Sequence, residues 1–296
     1  MSEPNETGLL APQPIERLEC VRILAPLAIL GFLSSRLVHI EHWVTETGFV
    51  VPKLDHASWK QPLYISPLPV GLAYVVALTT VASGVATALG YRTRMSSGIF
   101  AVLLAYLALA DRLETFTVNK LGTVVAIALY ATPCGARYGL DAWRRAKTTP
   151  EERVPTHVTW GNVRFFQALL IGMYFTSGVA KIRGDWLSNS GVIYSHLHDS
   201  YQTAFTYFLA TSVPAFGWTV FQSVTLIYEA GAPLWFSLRK TRLVALYVGL
   251  GMHAAIGLMF GPVIWFSLLM SALLLSCFAP LPWLSSGLDR IWKRLG

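Results

Sequence analysis

Charge is what this sequence has least of: Asp, Glu, Lys and Arg make up 13% of its 296 residues, whereas 54% are hydrophobic. A soluble domain of this length carries far more charge on its surface, so that class is excluded. Cysteine is scarcer still, with Cys20, Cys134 and Cys277 and no CxxC pair, and no disulfide is expected. There is no internal repeat, which argues against a transporter built from repeated halves. There is also no low-complexity tract and no connection long enough to fold as a second domain. Residues 1–14 hold Pro4, Pro12 and Pro14 but no basic run ahead of an apolar one, and no small-residue cleavage site closes the run that follows. They read as a disordered tail, not a signal peptide.

What is present is apolar sequence in long runs, with a mean hydropathy of +0.50. Runs long enough to cross a bilayer lie at about 18–38, 68–89, 96–112, 118–134, 163–181, 216–238, 243–260 and 263–280. The expected fold is all-α, a polytopic membrane helix bundle of about eight transmembrane helices over residues 15–296. Basic residues gather in alternate connections: Arg17; Arg92 and Arg94; Arg137, Arg144, Arg145, Lys147, Arg153 and Arg164; Arg239, Lys240 and Arg242; and Arg290, Lys293 and Arg294. Lys and Arg concentrate in loops that stay cytoplasmic, so both termini are predicted there. The three cysteines then fall at cytoplasmic ends of the runs, where thiols stay reduced. The net charge of +7 reflects this asymmetry and contact with anionic membrane lipid, and no nucleic-acid partner is inferred.

The longest cytoplasmic connection, about 135–162, reads as a solvated basic connector. The outer connections, 39–67 and 182–215, mix aromatic, polar and proline residues. Within the second, Ala204 to Val213 is apolar but too short to span, and reads as an interfacial helix or half-span.

One lysine, Lys181, ends a long apolar run in Tyr174-Phe-Thr-Ser-Gly-Val-Ala-Lys-Ile-Arg-Gly-Asp-Trp186. On a helix, Tyr174, Ser177, Gly178 and Lys181 share one face, and Gly178 is small enough to admit a neighbouring helix or a flat ligand. Two readings stand: Lys181 snorkels to the outer interface and pairs with Asp185, or, partly removed from water, it serves as a base. Ser177, four residues earlier, is within reach of Lys181 as an activated nucleophile, or is an ordinary membrane-helix serine. Glu229 and His253 are the other ionisable groups near mid-membrane, at depths that allow them to meet, either as a proton relay or as a packing pair. Arg22, near the cytoplasmic end of the first run, neutralises Glu229, binds lipid headgroups or is purely structural. His39, His42, His56, His196 and His198 fall on the outer side beside Glu41 and Asp199, but no ligand quartet has recognisable spacing and no metal centre is assigned.

Arg22, Gly90-Tyr-Arg-Thr-Arg94, Asp111-Arg112, Asn119, Tyr138-Gly-Leu-Asp141, the stretch Tyr174 to Trp186 and His253, in this order from about Leu18 to Pro280, give the chain a resemblance. It resembles the HTTM family of membrane proteins, whose best-understood relatives are the vitamin K-dependent gamma-glutamyl carboxylases. In those enzymes the lysine at the position of Lys181 deprotonates vitamin K hydroquinone, whose reaction with oxygen yields a strong base. That base removes a proton from a substrate glutamate, and carbon dioxide adds to the carbanion. The resemblance thus implies Lys181 as catalytic base, a pocket shaped by Asn119, Lys120, Tyr174, Ser177, Glu229 and His253, and reduced vitamin K or another lipid quinone as cofactor, with oxygen and carbon dioxide. The animal enzymes carry a histidine where Lys120 stands, and the chain ends at Gly296, so the lumenal portion that grips the substrate propeptide is not expected. The compact form resembles bacterial proteins, implying the inner membrane and modification of a secreted peptide or small substrate at the outer face. A non-catalytic membrane partner that binds a quinone or peptide during maturation or export is the alternative.

Overall fold

A computed structural model describes residues 10–48, 53–54, 64–110, 116–149, 151, 154–198 and 202–295. Residues 1–9 of the expected tail, His56, Lys60, Asp111, Arg112, Arg153 and Asp199 lie outside the described residues. The described residues form two compact units, one of residues 18–158 with 290–296 and one of residues 1–17 with 159–289.

In the first unit, α1 (Ile15–Val38) is followed by the short α2 (Glu41–Val44), then α3 (Val70–Leu89), α4 (Thr93–Ala110), α5 (Thr117–Ala131) and α6 (Leu140–Thr148). Leu30 of α1 and Phe100 of α4 both pack onto Gly84 of α3, where a Cβ would lie 2.9 Å from each. Ile29, Leu33, Phe100, Leu104, Val125 and Leu129 are almost wholly buried, so the core runs along the apolar stripes of these helices.

α3 ends because Gly90 takes a left-handed conformation, φ 71°, that returns the Tyr91 N–H to Ala86 O at 2.9 Å. Arg22 of α1 lies against this end. Its Nε donates to Glu19 at 2.7 Å, Nη1 donates to Thr87 O and Ala88 O, and Nη2 donates to Tyr138 O. Glu19 also accepts from Gly135 N and Arg137 N. Arg22 is therefore a structural clamp. Of the three readings open for Arg22 the structural one fits, and its carboxylate partner is Glu19, three residues away, because one turn of α1 sets the two side chains side by side.

Within the basic connector, residues 140–148 form helix α6, whose second half is exposed as a solvated segment would be. Asp141 at its start accepts hydrogen bonds from Arg92 N, Thr93 N and Thr93 Oγ1 at 2.8–2.9 Å, satisfying donors at the start of α4. The sequence neighbourhoods of Gly90 and Asp141, far apart in the chain, thus meet.

In the second unit, α7 (Trp160–Arg183) packs against α10 (Ala215–Ala230), α11 (Ala232–Ser237) and α13 (Ile264–Phe278). α8 (Val192–His196) and α9 (Ala204–Ser212) precede α10, α12 (Arg239–Met259) packs on α13, and α14 (Leu281–Leu295) follows. α9 meets α10 at 115° across Val213 and Pro214. Thr203 and Thr206 donate to Leu258 O and Met259 O, occupying carbonyls at the open end of α12.

The described residues of all eight apolar runs are largely helical, which makes the protein an all-α polytopic bundle. Six are long and apolar enough to cross a membrane: α1, α3, α4, α7, α12 and the segment Gly261–Phe278. α5, at 15 residues, and α10, at 16, are shorter; the run expected at 216–238 breaks at Gly231, ahead of Pro233.

Candidate functional site

α7 carries the lysine to its C-terminal end, where Gly184 stops the helix by donating to Ala180 O and Lys181 O. One turn earlier Gly178 faces α10 so closely that a Cβ there would lie 2.5 Å from the Ala230 nitrogen. That approach brings Glu229 of α10 to Lys181 of α7. The ammonium donates to Glu229 Oε2 and, at 2.9 Å, to Ser177 Oγ, and it lies 4.8 Å from the centre of the Trp186 ring. The lysine side chain is 19% exposed and the glutamate 9%.

Lys181 thus takes Glu229 as its carboxylate partner instead of Asp185. An ammonium at the end of an apolar helix is more favourably held by a carboxylate from a buried helix face than by an exposed one on a turn. The expected meeting of Glu229 with His253 is corrected by the same contact. His253 of α12 shares a 2.7 Å hydrogen bond through Nε2 with the Tyr174 hydroxyl.

Tyr174, His253, Tyr228 and Phe236 form an aromatic block. The Tyr174 ring meets Tyr228 edge-on at 5.3 Å, stacks on Phe236 at 6.3 Å and lies 6.0 Å from His253, whose own ring is 5.7 Å from Phe266. These side chains keep water from the inner side of the pair, since Tyr174, Tyr228, Phe236 and His253 are all at least 95% buried. On the other side, Gln222 of α10 donates to Trp186 O and Asn189 O at 2.7 Å, holding the 184–191 loop with Trp186 beside Lys181. Further along α10, the Trp218 and Tyr194 rings line a cavity of about 360 Å³ with Ser190, Gly191, Ala210, Val213 and Ala215.

The structure therefore brings Tyr174, Ser177, Lys181, Glu229 and His253 into one unit as two adjoining couples, Lys181 with Glu229 and Tyr174 with His253. Asn119 and Lys120 belong to the other unit, in the first turn of α5. Asn119 is 2% exposed, and its side-chain amide has no hydrogen-bond partner among the described residues; Lys120 is exposed. Sequence reasoning missed Tyr228, Trp186, Phe236 and Gln222. Tyr228 precedes Glu229 and Trp186 follows Lys181 by five, so adjacency to the ionisable pair was the available signal.

Of the histidines expected on the outer side, His39 Nδ1 and His42 Nε2 lie 4.0 and 3.6 Å from Glu41 Oε1, while Glu41 Oε2 accepts from the Tyr74 hydroxyl at 2.7 Å. His196 is bonded to Val192 O, and His198 meets the Tyr194 ring. Among the described residues no three His, Cys, Asp or Glu side chains gather as a metal set.

The arrangement offers a partly buried amine, a carboxylate hydrogen-bonded to it, a hydroxyl, and aromatic faces. Residues 12–283 match the HTTM domain. No match is found among curated proteins or among solved structures.

Proposed function

The chain belongs to the HTTM family of integral membrane proteins, and from that membership we propose a quinone-dependent, carboxylase-like enzyme in which Lys181 is the base. One observation carries the reading: the Lys181 ammonium is held between Glu229 and Ser177 at the edge of a buried aromatic block. The donor set fits a reduced lipid quinone, vitamin K or another, whose ring hydroxyl would meet Lys181 and Ser177 and whose flat ring would meet Trp186. When bound, the quinol supplies the reducing chemistry that turns oxygen into a strong base, for addition of carbon dioxide to a peptide or small substrate at the outer face of a bacterial inner membrane.

The chain's own part is to receive a proton at Lys181 Nζ. As an ion pair the lysine already holds that proton. Moving it along the hydrogen bond to Glu229 Oε2 leaves a neutral amine and a neutral acid with no change in net charge, which a poorly solvated site tolerates. The freed amine is then the acceptor. Ser177 Oγ keeps Nζ on the α10 side of α7, and the Trp186 ring face attracts the ammonium that re-forms. Tyr174, Tyr228, Phe236 and His253 exclude water.

The test is quinol epoxidation and labelled bicarbonate incorporation into glutamyl peptides, with purified protein in proteoliposomes. Wild type is expected to turn over and Lys181→Ala to lose about 100-fold or more. No turnover in wild type, or unchanged turnover in Lys181→Ala, rejects the reading. A second reading, a non-catalytic partner in the maturation or export of a secreted peptide, is favoured by the pairing itself, since an ion pair between α7 and α10 also fixes packing. It expects the joint substitution Lys181→Met, Glu229→Met to keep export of the cognate peptide.

A further inference from the structure

The turn between α3 and α4, with helix α6, carries a feature that the proposed chemistry does not use. Arg92 has φ 42° and is the non-glycine residue with positive φ among the described residues. Glycine or asparagine adopts that conformation with less strain, so an arginine at this position points to a use for its side chain.

Other cations stand at the start of α4 and on α6. The Arg144 guanidinium lies over the Tyr91 ring at 4.7 Å, Lys147 lies over Trp143 at 3.6 Å, and Arg94 lies over Tyr130 at 5.8 Å. Arg92, Arg94, Arg144, Arg145 and Lys147 are all exposed. The acids within this part of the fold are engaged elsewhere: Asp141 by the start of α4, and Glu19 by Arg22, Gly135 N and Arg137 N. Glu151 is the exposed acid that follows α6 among the described residues. The platform is fixed, because Asp141 N also donates to Gly90 O at 2.9 Å and α6 buries Ala142 and half of Trp143.

We propose that the α3–α4 turn and α6 form a headgroup site for an anionic phospholipid, with Arg92 and Arg144 on the phosphodiester and Lys147 beside it. The protein lies in a membrane, and basic loops mark the end of the bundle predicted to meet the cytoplasmic leaflet, so a lipid phosphate is at hand. Guanidinium groups match phosphate oxygens in pairs, and Trp143 and Tyr91 suit the headgroup depth.

The test is native mass spectrometry of the full chain in mild detergent, titrated with phosphatidylglycerol or phosphatidylcholine, with inorganic phosphate and a poly-glutamate peptide as competitors. Wild type is expected to retain phosphatidylglycerol at least about fivefold better than phosphatidylcholine, each cation near the surface contributing a factor of that order. Arg92→Gly should lower this preference about fivefold. Its unfolding temperature should not fall, because glycine relieves the left-handed turn, and this separates lost binding from lost folding. Arg144→Gln with Lys147→Gln should lower the preference further. Equal retention of the two lipids by wild type, or an unchanged preference in the variants, overturns the proposal. Displacement of lipid by millimolar phosphate assigns the site to a soluble anion, and displacement by poly-glutamate assigns it to an acidic protein segment; either result also overturns it.

Discussion

Lys181 and Glu229 form an ion pair between α7 and α10 while the lysine's sequence neighbour Asp185 is left out of it. With side-chain exposures of 19% and 9%, each charge depends on the other for solvation. Glu229→Gln therefore costs more than removing both charges together. The single change should destabilise by about 2 kcal/mol, and Lys181→Met with Glu229→Gln by less than the sum of the two single changes. A double-mutant cycle from thermal unfolding in nanodiscs measures this, and a coupling energy near zero would refute the pairing.

Gly178 sets how close those helices come. Gly178→Ala places a methyl group 2.5 Å from the Ala230 backbone, which cannot give way as a side-chain tip can, so α7 and α10 must part. The expected cost is about 1–3 kcal/mol, with Ser177→Ala well below it. Activity should fall in step, because the same separation draws Glu229 from Lys181. Retention of both stability and activity in Gly178→Ala would contradict the close approach.

Much of this site was legible in the sequence, for a definable reason. Tyr174, Ser177 and Lys181 share a face by the period of a single helix, and a lysine closing an apolar run stands out against its background. The partner of Lys181 was not legible from depth alone. Glu229 and His253 are instead engaged by α7 residues two turns apart, the first by Lys181 and the second by Tyr174. Gly178 was the cue, since a residue with no side chain one turn before Lys181 marks where another backbone passes. α6 was missed because Leu140–Thr148 is only nine residues long and polar on average, and because Asp141 acts on α4, far away in sequence. The break at Gly231 also lay inside an apolar run that hydropathy does not divide.

Glu41 supplies a pH dependence at α2, in the first unit. The Tyr74 hydroxyl, then a backbone hydrogen bond, and then His42 and His39 hold its carboxyl below the ordinary glutamate value of 4.5. A lowered folded-state value means that the contact's contribution is fully present above pH 4.5 and is lost as pH falls through the lower folded value. α2 should therefore exchange its amide hydrogens faster only in that acid range, and Tyr74→Phe should move the onset up toward pH 4.5. Hydrogen exchange of residues 41–45 against pH reads this directly, and an onset unmoved by Tyr74→Phe would count against it.

Arg22 should be among the costliest cations to remove. It is 1% exposed beside a Glu19 that is 0% exposed, and four of its five N–H donors are used: one on Glu19 and three on the carbonyls of Thr87, Ala88 and Tyr138. Arg22→Met keeps the bulk but leaves a buried carboxylate unpaired and the end of α3 without its donors, so a loss of about 3–5 kcal/mol is expected. Arg22→Lys should recover only part, because a single ammonium cannot reach carbonyls on both sides of the Gly90–Gly139 contact as a planar guanidinium does. Adding Glu19→Gln to Arg22→Met should return some of the loss by removing the stranded charge. Unfolding measured in nanodiscs orders the four proteins as wild type, Arg22→Lys, the double variant and Arg22→Met. If Arg22→Met lies within about 1 kcal/mol of wild type, the guanidinium is solvated by something other than this clamp.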